Sequence, residues 1–516
     1  AVGGSTPVGA LDLNANAATL GGSVAAASFD TLGVGLTTLA ATTVEVDVSA
    51  AGIAANFGAL GGANHLTVTA TDPIGDLRFR AADLASLVVD DADDVTFFGA
   101  FETSGVVDVD TNIGGRVAVS SSGSITAGGA VSADAAHLIV DGPVTGSTVT
   151  LGTTGGNALE VAAEVTGTSG VTFADPVTVD GSAVTVASTG GDVSFAGTLD
   201  SDAANTNTLT VNAPSGTATF SGAVGGTATL NRLAVDAADT TFASTAAVGN
   251  GGLRVEGAGA TTTLTGNVTS GGAVTINDAV SLASAVTIDT TANNSPVSVS
   301  GTVQGAEAFT LTTGSGAVTL GGSLGSVTPL ASLDIDSTGE TELNGEVRTS
   351  GAIALGGATD VQLGRDVQLV AGSTITLDAV DGAFSLSAAA NGGNLVLADA
   401  LGGSEALASA SLSADGAIDG NGAITATGLV HLSTAGASGE DLLVDAGLTA
   451  SQVTLEAGTS GKIVFGTAAQ TNTAGSTSLH AGGGIETAVD LGAQGDLTLH
   501  DPLTLTANTV LSSATG

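Results

Sequence analysis

Residues 209–242 read LTVNAPSGTATFSGAVGGTATLNRLAVDAADTTF. Apolar and polar residues alternate in short steps: LTVN at 209–212, ATFS at 218–221, LAVD at 233–236 and TTFA at 240–243. Between them Gly, Asn, Asp and Ser mark turns. Period-2 alternation sends every second side chain to one face of a strand. A strand of three or four residues cannot bury that face alone, so the pattern requires stacked neighbours.

The same steps recur outward from this stretch. They include LRVE at 253–256, VTIN at 274–277, VTID at 286–289, FTLT at 309–312, LDID at 333–336, TITL at 374–377 and LVLA at 395–398. A second strand usually starts seven to nine residues after the first, as in AVTL at 317–320. A third short apolar step then follows a glycine, as in Gly222-Ala223-Val224, Gly266-Asn267-Val268 and Gly345-Glu346-Val347. The unit spans about 20–24 residues, the size of one solenoid coil. The expected fold is all-β: a parallel β-solenoid, or β-helix, forming a rod of roughly 20 or more coils, right-handed by the default of parallel crossovers. Inward positions are Val, Leu, Ile, Ala and some Phe; outward positions are Thr, Ser, Asp and Asn. The competing expectation is a row of antiparallel β-sandwich domains. The single period and the scarcity of large aromatics weigh against it.

Residues 1–60 keep less of the pattern, although LDLNANA at 11–17 and TVEVDVS at 43–49 alternate well. They are expected to form an N-terminal cap or an assembly segment, with continuous repeats over 61–516. The chain starts Ala1-Val2, which suggests a secreted protein whose signal peptide has been removed. No apolar run reaches the length of a membrane helix.

Composition narrows the function. The 516 residues contain 78 Gly, 8 Lys+Arg and 50 Asp+Glu, for a net charge of −42. Acids are not unusually many; bases are unusually few. Nucleic acid is excluded as a partner, because phosphate binding needs clustered Lys and Arg. An anionic membrane surface would repel the chain. With no Cys there is no disulfide, thiolate catalyst or thiolate metal site.

The stretches TATFSGAVGGTATLNRLAVDAADTTF (217–242) and AVTLGGSLGSVTPLASLDIDSTGETELNGEVRTSGAIAL (317–355) resemble repeat units of filamentous-haemagglutinin-like and autotransporter-passenger-like bacterial surface proteins. The likeness extends over about residues 140–510 and concerns architecture. It implies a secreted, elongated, surface-located protein. Roles in that group range over adhesion, biofilm matrix and surface-layer formation.

Candidate chemistry is sparse. Asp90, Asp91, Asp93 and Asp94 form the densest charge run, DDADD at 90–94, and hard cations such as Ca²⁺ take several such oxygens. They are the candidate metal ligands. EF-hand and calcium β-roll patterns are absent. Arg78, Arg80, Arg116, Arg232, Arg254, Arg348, Arg365 and Lys462 are scattered, and His65, His137, His431, His480 and His500 lack metal-site spacing. No catalytic or cofactor-binding residue is expected; a β-helical polysaccharide lyase or hydrolase is the remote enzymatic alternative. The expected function is structural: copies of the chain assembling into an extracellular filament, sheath or surface layer. The alternative is an adhesin stalk or biofilm-matrix adhesin that binds cell-surface glycans.

Overall fold

The computed structural model describes residues 2–3, 6–49, 52–70, 75–257, 259–357, 360–435, 441–466 and 475–514. The described residues are all β, with no helix. Every described strand pair is parallel, and strands stack about 22 residues apart in about 22 solenoid turns. Parallel pairing at this spacing excludes the antiparallel sandwich. Contacts divide the chain into two compact units, Ala1–Thr262 and Thr263–Gly516.

In the first unit each coil lays strands on three faces. One face stacks Val46, Val68, Val89 and Val109, then Ala133 and Leu151, then Phe173, Phe195, Phe220 and Phe242. A second begins Phe57, Phe79, Phe97 and continues through Val119, Val140, Val161 and Val179. The third runs from Phe101 through Ile125 and Val144 to Val235 and Val255. Parallel, in-register stacking puts like residues over like at about 4.8 Å, so each column is a ladder of similar shapes. The Val-to-Phe change on the first face shows as a recurring VTF, VSF, ATF, TTF in the sequence.

Eight of the 13 Phe residues gather into two such groups. Phe173, Phe195, Phe220 and Phe242 stack with centroids 4.9, 5.2 and 4.9 Å apart and nearly parallel planes. Phe57, Phe79 and Phe97 stack similarly, and Phe101 packs edge-on against the last two. Each good aromatic pair adds about 0.5–1.5 kcal/mol beyond area burial. Outside the first face, Ser132, Thr150, Thr172, Ser194, Thr219 and Thr241 form a matching file of hydroxyls.

The described part of residues 1–60 pairs in the same parallel sense. Val8–Asp12 lies on Val24–Asp30, and Gly52–Gly61 lies on Gly75–Leu84.

The second unit repeats the three-faced plan with a core richer in Leu and Ile. One column runs Leu412, Leu432, Leu455, Leu479, Leu499; another runs Ile335, Leu355, Leu377, Leu397.

Three loops interrupt the ladders in one way. Their sequences are AVGGTATL at 223–230, SLGSVTPL at 323–330 and ALGGSEAL at 400–407. Val224, Leu324 and Leu401 each hold a place in a column by single bridges to the coils before and after. The next residue is Gly225, Gly325 or Gly402, with φ of 65°, 67° and 70°. A Cβ there would stand 2.1 Å from a carbonyl oxygen of the following coil, so only glycine fits. One oxygen of the preceding coil then clasps two consecutive loop N–H groups. Asp200 Oδ1 accepts from Thr227 and Ala228 at 2.8 and 3.1 Å. Gln304 Oε1 accepts from Val327 and Thr328 at 3.1 and 3.0 Å. Asp381 Oδ1 accepts from Ser404 and Glu405 at 2.8 and 2.9 Å.

Candidate functional site

The acidic run lies on Ser86–Phe97, a strand that turns a corner of the solenoid. The corner is Asp91, whose φ is 60°. Aspartate tolerates this left-handed conformation better than most residues. Ala92 follows and is fully buried, so it points into the core. The four carboxylates are thereby split into two pairs on opposite sides of the corner, and Asp90, Asp91, Asp93 and Asp94 do not form one site.

Asp90 and Asp91 join a column that the run itself does not reveal. Val89 pairs with Val109, which sets Asp110 one coil beyond Asp90; Asp110 pairs with Asp134 of the next coil. Asp108 stands alongside and accepts the Ser132 hydroxyl at 2.5 Å. Burial, and then the charges of Asp134, Asp90, Asp108 and Asp91, push the Asp110 carboxyl above its ordinary value. The charges that act on Asp110 among the described residues are all acidic. The repeat period carried the signal for this column, because Asp closes LVVD at 87–90, VDVD at 107–110 and VSAD at 131–134.

Asp93 and Asp94 face the other way, beside Asp76. Arg116 lies opposite Asp94 in register, and its N–H donates to Asp94 Oδ1 at 3.0 Å. Burial pushes the Asp76 carboxyl up, reinforced by Asp94 and Asp93 and opposed by Arg78 and Arg116. Asp93 is raised by burial and then by Asp94. Two of the chain's few arginines thus offset the charge at Asp76, on the Asp93 and Asp94 side of the corner.

Acids meet across coils in two further places. Burial and then Asp202 raise the Asp180 carboxyl. Against desolvation, the Ala203 N–H, Asn207 and Thr206 hold Asp202 low. Asp360 is raised by burial, opposed by Gln362, and raised again by Asp381. Other bases are spent in surface ion pairs: Arg254 with Glu256 at 2.6 Å, Arg348 with Glu346, and Lys462 with Glu486 at 2.5 Å.

The histidines are distributed unevenly. His65 Nδ1 meets Ser86 Oγ at 2.6 Å, and His137 sits across from Arg116. His480 and His500 stand on successive coils and His431 two coils before His480; Glu456 lies by His431 and Asp501 by His480. Among the described residues no three His, Asp or Glu side chains already converge on a position for an ion. No described helix is long and apolar enough to cross a membrane. Compared with protein-family models, with curated proteins and with solved structures, the chain matches none.

Proposed function

We propose that this protein is a structural building block, secreted and assembled from copies of itself into an extracellular filament, sheath or surface layer. The observation that carries the reading is the column Asp90, Asp110, Asp134, flanked by Asp91 and Asp108. It is a file of like charges at a solvent-facing corner, and among the described residues the charges acting on Asp110 are all acidic. Facing files on two copies repel unless cations lie between them. Ca²⁺ suits such oxygen-only surroundings and would act as a bridge between copies. The residue types support a scaffold as well: the core is filled by stacked apolar ladders, and the outward files are hydroxyls and acids. The resemblance to bacterial surface repeats points the same way.

The test is electron microscopy of purified protein in EDTA and in millimolar CaCl₂. Ordered filaments or sheets in CaCl₂ that dissolve in EDTA are expected. The triple change Asp108→Asn, Asp110→Asn, Asp134→Asn should abolish the calcium dependence. Dispersed particles that bind glycan arrays under both conditions would replace the reading with an adhesin. Turnover of a uronate polysaccharide would replace it with an enzyme.

A further inference from the structure

We propose that His480 and His500 form a binding site for one divalent transition-metal ion, of the Zn²⁺, Ni²⁺ or Cu²⁺ class, that clips the last coils of the second unit together. The claim is independent of assembly and of the acidic corner.

Register creates the pair. Leu479 lies over Leu499 in the core, so the residue after each, His480 and His500, takes the same outward place on successive coils. Their ring centroids are 6.0 Å apart, with planes at 79°. A metal–nitrogen bond is about 2.0–2.1 Å, so two imidazoles on one tetrahedral ion hold their centroids about 5 Å apart, about an ångström closer than they stand here. Rotation about the side-chain torsions is all that is needed to bring one nitrogen of each ring to a shared ion.

Each ring is already held by one nitrogen. His480 Nδ1 lies 2.9 Å from Asp501 Oδ2. That oxygen also accepts the Ala481 N–H at 2.7 Å, which fixes the carboxylate. The arrangement has Nδ1–H donating to the carboxylate and leaves the Nε2 lone pair for a ligand. An outer carboxylate of this kind orients a metal-bound imidazole and raises its basicity. His500 Nε2 is 3.2 Å from Ser478 Oγ; in the tautomer with the proton on Nε2 the hydroxyl accepts it and Nδ1 is left as the ligand nitrogen. Both rings therefore carry an outer partner on one side and a donor nitrogen on the other.

The surroundings admit a hydrated ion. His480 is well exposed, with 62% of its side chain accessible. A recess of about 340 Å³ opens on its far side from His500, walled by Thr434, Glu456, Gly458 and Thr459 of the preceding coils, and lets solvent reach the ring. Glu456 sits one coil before His480 in register and adds negative charge there; its other contact is His431 Nε2 at 3.7 Å. Solvent completes the coordination, because among the described residues no third His, Asp or Glu side chain converges on the pair. Nitrogen donors select Zn²⁺, Ni²⁺ and Cu²⁺ over Ca²⁺ and Mg²⁺, which take oxygen. The bound ion would tie Ser476–Ala481 to Leu497–Leu499, the latter a strand whose core-side leucines are only half-buried.

Five histidines make the test direct. The full chain is labelled with ¹⁵N-histidine and titrated with ZnCl₂ in millimolar CaCl₂, which occupies the carboxylates. His480→Gln and His500→Gln assign the two resonances. The expected result is that these two ring signals shift together and saturate near one equivalent, while His65 and His137 stay still. Either substitution should weaken binding at least ~10-fold, and Asp501→Asn should weaken it by a similar ~10-fold through loss of orientation. Circular dichroism checks that each variant folds. If the two signals do not move, or all five move alike without saturation, the site does not exist.

Discussion

A single oxygen of Asp381 holds two consecutive N–H groups of the next coil, and only 3% of the residue is exposed. Gln304 performs the same task with a neutral amide, so the clasp needs an acceptor and not a charge. Asp381→Asn should therefore leave stability nearly unchanged, and it removes the charge that helps to raise the Asp360 carboxyl. Asp381→Ala leaves two donors without their partner and should cost about 1–3 kcal/mol. Hydrogen exchange over residues 402–407 reads both; equal loss of protection in the two variants would refute the argument. The strings around Val224, Leu324 and Leu401 are visible in the sequence as a third apolar step after or before glycine. Their clasps are not, because each acceptor stands 23 to 27 residues upstream of its first loop N–H. The acidic run is similar. Its charge is plain in DDADD, but the buried Ala92 and the left-handed turn at Asp91 that divide it depend on where the corner falls.

A strand here gains its stability from the strands above and below it. Phe220 is stacked on both sides, by Phe195 and Phe242. Phe220→Ala removes two ring contacts and opens a cavity in a filled column, at about 3–5 kcal/mol. Phe384 is 38% exposed, and Phe384→Ala should cost a small fraction of that. Denaturant titration compares them; a similar cost for both would mean that the ladder adds nothing. Alternation in ATFS and TTFA was enough to place both rings inward. That the rings overlap face to face was not legible, because overlap depends on register between coils and alternation fixes only the side.

At the scale of the whole chain, charge is the dominant liability. Asp76, Asp93, Asp110, Asp180 and Asp360 all have carboxyls raised above the usual 3.8. Between 3.8 and its raised folded value, each binds more proton when folded than when unfolded. Their contribution is therefore most favourable below 3.8 and is lost as pH rises through the folded values. Asp202, held low, acts in the opposite sense but only below the usual value. The melting temperature should rise as pH is lowered from neutral toward the raised folded values, and salt at neutral pH should reproduce part of that rise. A steady fall in melting temperature over the same range would show that these files do not repel.

The loops at 225–229, 325–329 and 402–406 have one more consequence, and it concerns inheritance. Each leaves its column at one apolar residue and rejoins the stack at a leucine: Leu230 bonds onward to Val248, Leu330 to Thr349 and Leu407 to Ala426. Codons can be gained or lost inside such a loop, or as a complete coil, without disturbing the alternation elsewhere. Loss of one codon within a strand would turn every later inward side chain of that strand to the solvent. A gene rich in Gly, Ala and Thr repeats invites copying slips. In this protein the surviving slips would be those that respect the coil as the unit of change.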